Sequence, residues 1–198
     1  MRQTEPRLIV VTGADGSGKS TLIRNLASQI RQTLSLNFTI ASIWDLRPNF
    51  SNIEEYFLTL NSKASTLLIF HALHQSLFLA RKEKRDLILF DAYWYKYAVN
   101  EAIRGSDFAF LSSLIETLPQ PDCVFYLKIP PEKALERKKQ LTLYETGGIP
   151  DDREKFLSLQ HQGFEYWEQF QKLHGPWVHL DAEKSEENLL KEAWNSVF

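Results

Sequence analysis

The sequence predicts an α/β fold: a three-layer sandwich in which a five-stranded parallel sheet is covered by helices on both faces. Two observations predict it. Short, nearly continuous apolar runs alternate with longer segments whose apolar residues recur at helical spacing. The runs are apolar throughout rather than at every second residue, as strands buried on both faces are, and right-handed crossover helices would join them. The 198 residues fit one domain spanning the whole chain, 1–198.

The first run, Leu8–Thr12, is followed by Leu22, Ile23, Leu26, Ala27, Ile30 and Leu34 at helical spacing. The second strand is expected over Phe38–Trp44. A helix follows with an apolar stripe at Leu67, Leu68, Leu73, Leu77 and Phe78. Leu87–Phe90 is the third strand, with a helix starting near Tyr93. Cys123–Ile129 is the fourth, and Pro130 and Pro131 open the helix after it, since proline is well tolerated in a first turn. Gly147, Gly148 and Pro150 interrupt the pattern, so residues 137–153 read as a mobile lid between two helices. A fifth strand at Trp177–Leu180 precedes a last helix marked by Leu189, Leu190, Ala193, Trp194 and Val197.

Composition limits the partners. With 43% hydrophobic residues, 24% charged and a net charge of −2, the chain reads as globular, and no basic excess recruits nucleic acid or an anionic membrane. Cys123 is the only cysteine, so no internal disulfide forms. The first residues lack a leader-like apolar run, and a cytoplasmic protein with small-molecule substrates is expected.

Gly13-Ala14-Asp15-Gly16-Ser17-Gly18-Lys19-Ser20 fits the phosphate-loop pattern G-x-x-x-x-G-K-[ST], set between the first strand and the first helix. Backbone amides freed by the glycines wrap nucleotide phosphates, the helix adds the positive end of its dipole, and Lys19 neutralises the β- and γ-phosphates. Ser20 offers Mg²⁺ a hard oxygen ligand, and Thr21 follows in the same turn. Asp91, at the carboxyl end of the third strand, is placed to join the Mg²⁺ shell; its other reading is a cap for the next helix. The cofactors expected are ATP and Mg²⁺.

The order of these motifs resembles the thymidylate kinase family of nucleoside monophosphate kinases over nearly the whole chain. The residues that carry it are the loop with its acidic Asp15, Trp44-Asp45-Leu46-Arg47-Pro48, Leu67–Gln75, Asp91-Ala92-Tyr93, Pro121-Asp122 with the L-K-I-P-P-E-K-A-L-E-R-K run, and H-L-D-A-E-K-S-E-E. The resemblance implies transfer from ATP to a nucleoside monophosphate, dTMP first, and a homodimer. It implies that Asp15 faces the acceptor sugar, Arg47 holds the acceptor phosphate, and the loop around Ala182 lies against the donor adenine. Phe70 matches the position that stacks on the acceptor base, and it equally fits core packing.

The chain departs from the family in its acceptor pocket. His74 stands where the family has an arginine that bonds the base, and Ala92 replaces the arginine before Tyr93. Asn100 and Glu101 stand where a tyrosine and a glutamine are typical. Lys96, one helical turn beyond Ala92, reads as a surface lysine, and its ammonium also lies within reach of the phosphate that the missing arginine would hold. Arg137, Lys138, Lys139 and Arg153 flank the lid, and Arg137 and Arg153 are preferred as the catalytic cations because guanidinium grips phosphate bidentately. Two alternatives stand beside this reading: a deoxynucleoside kinase with Asp45 as base, and a degenerate nucleotide-binding regulator.

Overall fold

The structure is a computed structural model that describes residues 5–45, 53–173 and 175–198. One five-stranded parallel sheet carries the order β2-β3-β1-β4-β5, built from β1 (Arg7–Gly13), β2 (Phe38–Ala41), β3 (Leu87–Asp91), β4 (Cys123–Lys128) and β5 (Trp177–Asp181). Eight helices are seen among the described residues: α1 (Lys19–Thr33), α2 (Ile53–Thr59), α3 (Ser62–Lys82), α4 (Tyr93–Ile103), α5 (Phe108–Ile115), α6 (Pro131–Glu136), α7 (Arg153–Gln171) and α8 (Glu186–Val197).

Successive residues of a strand face opposite sides of the sheet, and β1 fills two cores in this way. Leu8 and Val10 join the core beneath α3, α4 and α7, where Leu73, Trp94 and Phe170 meet. Ile9 and Val11 face the other core, with Leu22, Leu26 and Ile30 of α1 and Leu189 of α8. Leu26 is fully buried, and truncating it to alanine costs about 2–5 kcal/mol. The start of β1 is fixed by Asp122, whose Oδ2 accepts from the Leu8 amide at 2.7 Å, so the Pro121-Asp122 pair ties β4 to β1.

Two expectations need correction. The second strand stops at Ala41, because the Ser42 amide donates to Asp45 Oδ2 at 2.7 Å and the chain turns there. On α3 the inward face is set by Thr66, Ile69, Phe70, Leu73 and Leu77, while Leu67 and Phe78 are about half exposed at 49% and 53%. The predicted stripe mixed two faces of that helix. α2 and α5 carry no strong periodic signal in sequence and were not foreseen.

The strand order reverses direction at β1, with β3 on one side and β4 on the other. In an open parallel sheet the crevice beyond the carboxyl ends at such a point is where ligands bind. Gly13, Asp91 and Lys128 end the three central strands there.

Candidate active site

The turn from β1 into α1 is shaped by its glycines. Gly16 has φ +81°, and a Cβ built on it would lie 2.5 Å from the Ala134 carbonyl oxygen of α6, so no larger residue fits that close approach. Gly18, at φ +96°, is the N-cap of α1, with no side-chain cap over the first amides of the helix. The loop therefore presents open N–H donors at a helix start. Ser17 is fully buried and its Oγ has no partner, an orphaned hydroxyl within the same cradle. Lys19 folds back over the loop, donating to the Gly13 carbonyl at 3.0 Å and the Ala14 carbonyl at 2.7 Å. Burial, helped by the nearby Lys96 ammonium, pushes its amine down to about 8. A ligand with negative charge at this point relieves both penalties.

Asp91 and Ser20 line one pocket of about 360 Å³ together with Lys19. The N-cap of α4 is Ala92 and makes no side-chain cap bond, so Asp91 does not serve as the cap of that helix. Among the described residues no group of three acidic, histidine or cysteine side chains gathers. Two hard oxygens beside a phosphate loop suit Mg²⁺, which takes few protein ligands and completes its octahedron with waters and phosphate oxygens.

Lys96 reaches the same pocket from α4. Its Nζ lies 2.5 Å from Asp15 Oδ1, with side chains 13% and 12% exposed. The surface-lysine reading is corrected: the first turn of α4 aims the residue at the phosphate loop. Burial alone would raise the Asp15 carboxyl, but Lys96, then Lys19, outweigh it and hold it at about 2. The same pairing outweighs the burial of Lys96 and raises its amine. α4 begins under backbone strain, with Ala92 at φ +66° and Tyr93 at φ +49°.

Two further spaces adjoin this pocket. On one side is a cleft of about 710 Å³ between Gly16–Gly18, Thr21 and Asn25 of α1, the 137–140 segment, and Ala182 with Ser185 and Glu186. Arg137 Nη2 donates to the Ala182 carbonyl at 2.7 Å and closes the far wall. On the other side is a cavity of about 500 Å³ that begins at Ala14, Asp15 and Lys96 and runs between α4 and α7 beneath Tyr144–Gly148. Lys138 borders both the cleft and the central pocket and pairs with Glu145.

The thymidylate kinase family model matches residues 11–193, which spans the end of β1, the loop, the other four strands and every helix from α1 into α8. The chain belongs to the thymidylate kinase family. It is 28% identical to "Probable thymidylate kinase 1" of Saccharolobus solfataricus over 164 residues, covering 77% of this chain and 82% of that one. It is 26% identical to the thymidylate kinase of Dictyostelium discoideum over 200 residues, covering 96% and 83%, and 26% identical to that of Francisella tularensis over 214 residues, covering 96% and 94%. The family consists of nucleoside monophosphate kinases, which are transferases.

Within this thymidylate kinase family member, the residues that resemblance put around the acceptor base are dispersed. Phe70 packs in the core at 3% exposure and lines none of the three spaces above, as the core reading has it. His74 is exposed on the outer side of α3, with Nε2 2.9 Å from Thr117 Oγ1. Tyr93 is fully buried and donates its hydroxyl to the Pro119 carbonyl at 3.0 Å, so it belongs to the core and not to the cleft. Glu101 is also fully buried: Ser65 donates to its carboxylate at 3.0 Å, Thr66 at 3.4 Å, and the Arg104 guanidinium lies 3.9 Å away. Arg47 lies outside the described residues.

Arg153 is corrected as well. It is exposed, and its Nη2 reaches only the Lys138 carbonyl at 3.4 Å, away from the central pocket. Sequence reasoning passed over Lys138 in favour of the guanidinium residues, and it missed Tyr144, Glu145 and Arg104. Gly163, in mid-helix where glycine is costly, was the one sequence signal of the α4–α7 cavity.

Proposed function

We propose that this chain transfers the γ-phosphoryl group of ATP to the phosphate of a nucleoside monophosphate, with dTMP the first acceptor. The observation that carries this reading is the continuity of three spaces: a donor cleft, a phosphate-loop pocket holding Lys19 and Lys96, and an acceptor cavity entered past Asp15. The names of the relatives favour dTMP within the monophosphates.

The chain's residues supply alignment and charge, which is most of what phosphoryl transfer demands. The loop amides and Lys19 hold the β- and γ-phosphates. Ser20 and Asp91 would hold Mg²⁺, which would supply positive charge to offset that of the phosphates. Arg137 and Ala182 wall the side where the donor base lies. Lys96 takes the acceptor phosphate in place of the arginine that Ala92 lacks. The attacking phosphate oxygen is already anionic, so no strong base is needed.

That last point separates the reading from a kinase with a hydroxyl acceptor. Such an enzyme needs a carboxylate beside the acceptor, and Asp45 is engaged instead in closing the turn with the Ser42 amide. Lys96 also weakens the degenerate reading, since a cation is supplied to the pocket from α4.

The chain acts as a single kinase domain over 1–198, with residues 137–153 as a lid over the transferring group. The exposed Leu67, Phe78 and Leu79 of α3 offer an apolar face for a homodimer. Among the described residues no helix is long and apolar enough to cross a membrane. One assay tests the function: ADP release with ATP and Mg²⁺ across a panel of nucleoside monophosphates and nucleosides. Release with dTMP that is lost in Lys19→Ala is expected, and absence of release with every monophosphate overturns the reading.

A further inference from the structure

We infer that Glu186, oriented by Asn25, tells one purine donor from another: its carboxylate accepts from the 6-amino group of the donor base, and a purine with a 6-oxo group is disfavoured. The inference rests on the donor half of the kinase reading above and deepens it by naming the atoms that read the base.

The donor cleft runs away from the phosphate loop along α1. It opens at Gly16, Gly18 and Thr21, where the phosphates lie, and continues past Leu22 to Asn25. Asn25 comes seven residues after Gly18, about 10 Å farther along the helix axis, so it stands at the base end of the cleft and not at the phosphates. Leu22 and Leu189 are buried and give the cleft an apolar floor suited to a flat ring. At its rim α1 meets α8 through polar side chains.

Asn25 Nδ2 donates to Glu186 Oε2 at 3.4 Å, across 161 residues of sequence. This bond decides which way the amide points. A carboxylate only accepts, so the nitrogen of Asn25 faces it and Oδ1 is turned from it. The polar atoms that the pair leaves open, Asn25 Oδ1 and Glu186 Oε1, are both acceptors. Glu186 belongs to the first turn of α8, where negative charge suits the helix dipole, and Ser185 beside it accepts from the Asn188 amide at 3.3 Å. Lys184, which also lines the cleft, is engaged with Glu192 at 2.5 Å and leaves Glu186 its charge. The rim asks for N–H donors from the base.

Adenine in a nucleotide carries N–H donors in one place, its 6-amino group, and that group satisfies an acceptor rim. A 6-oxopurine sets oxygen lone pairs against the carboxylate at the same point, and its N1–H lies one ring position away. Glu186 is exposed, so water competes for it, and the expected discrimination is ~10-fold rather than the ~10⁴-fold of a closed hydrogen-bonding site.

The test uses the whole chain with Mg²⁺, and its probes are ATP and inosine triphosphate (ITP), which carries the 6-oxo group. Affinity is read by calorimetry without acceptor, and turnover by ADP release with nucleoside monophosphates. The parent is expected to bind ATP ~10-fold more tightly than ITP. Glu186→Gln, whose amide can turn its nitrogen toward a 6-oxo group, is expected to bind ITP more tightly than the parent does and to bring the two affinities within ~3-fold. A gain of ITP binding is not a result that damage to the fold produces. Asn25→Leu releases Glu186 from its partner and should narrow the gap, whereas Glu187→Gln, on the neighbouring residue outside the cleft, should keep it. Equal affinities in the parent, a gap that survives Glu186→Gln, or one that Glu187→Gln closes as well overturns the inference, and dTMP-dependent ADP release by the parent then leaves the kinase reading standing. An unchanged gap in Asn25→Leu overturns the orienting role. A gap that closes in Glu186→Gln, without ADP release by the parent with any monophosphate, supports the base reading and sinks the kinase reading. Failure of the parent to bind either triphosphate overturns both.

Discussion

Lys96 Nζ and Asp15 Oδ1 stand 2.5 Å apart, joining α4 to the phosphate loop across 81 residues of sequence. Under the proposed function the pair sits where the donor and acceptor phosphates meet, so the lysine can pass from one oxyanion to another with little movement. Lys96→Met is expected to raise the acceptor KM about 10- to 100-fold, the size of a lost charge-assisted bond, while ATP affinity changes by less than about 3-fold. Lys96→Arg should recover most of the loss. Initial-rate kinetics with both substrates varied checks this, and an unchanged acceptor KM in the methionine variant counts against the role.

The same pair predicts an acid response. The Asp15 carboxyl sits at about 2 in the folded chain against 3.8 in the unfolded one. A depressed folded value contributes stability that is present above about pH 4 and lost as pH falls toward 2. The contribution is about 2 kcal/mol at neutral pH. In Lys96→Met the buried carboxylate loses its main partner, so acid unfolding moves to higher pH. Circular dichroism from pH 6 to pH 2 reads the midpoint, and an unmoved midpoint refutes the coupling.

The residues legible in sequence are those fixed by local chain geometry. The phosphate loop, the strand end at Asp91 and the proline start of α6 each depend on neighbours a few positions away, and they stand where the motifs put them. Phe70, His74 and Tyr93 depend on the rotational phase of α3 and α4, which a mixed apolar stripe does not define. Leu67 and Phe78 look like core residues and face outward, while Ser65, Thr66 and Ser76 are polar and buried through their hydrogen bonds. Lys96 lay between both kinds: its spacing from Ala92 was readable, and its partner Asp15 was not.

The entry to α4 stores strain at Ala92, whose φ of +66° and ψ of −34° suit glycine. Relief of that strain offsets the methyl contacts and chain entropy lost in Ala92→Gly, so stability should stay within about 1 kcal/mol of the parent. Ala98→Gly, equally buried in the same helix at ordinary geometry, is the control and should cost about 2 kcal/mol. Urea denaturation of the two variants gives the difference, and equal losses would show that Ala92 is unstrained.

Glu101 is a fully buried carboxylate, and its burial raises its pKa against the pull of Arg104 and the two hydroxyls. Removing it orphans Ser65 and leaves Arg104 without its counter-charge. Glu101→Ala is expected to cost about 3 kcal/mol, which for a chain of this size lowers Tm by about 6–12 °C. Glu101→Gln keeps an acceptor oxygen and should lose less than half of that. Thermal melts at neutral pH compare them; a small loss in the alanine variant would mean that the α3–α4 contact does not depend on this network.

Lys138 is the cation best placed to act on the transferring group. It borders both the donor cleft and the central pocket, and its ammonium reaches the electrostatic environment of both Asp15 and Lys19. Glu145, within the same lid segment, holds it through an ion pair. Arg137 is committed to the Ala182 carbonyl and Arg153 to the carbonyl of Lys138 itself, so neither guanidinium is free in the way that their chemistry alone suggests. When a triphosphate fills the loop, its γ-phosphate competes with the Glu145 carboxylate for the ammonium. An interaction that strengthens as charge develops acts on kcat more than on ground-state binding. Lys138→Met should therefore lower kcat by about 100- to 1,000-fold with ATP affinity changed by less than about 3-fold, whereas Arg153→Met should leave kcat within about 2-fold. Steady-state rates together with ATP titration calorimetry separate the two, and a larger loss at Arg153 than at Lys138 would return the catalytic role to the guanidinium.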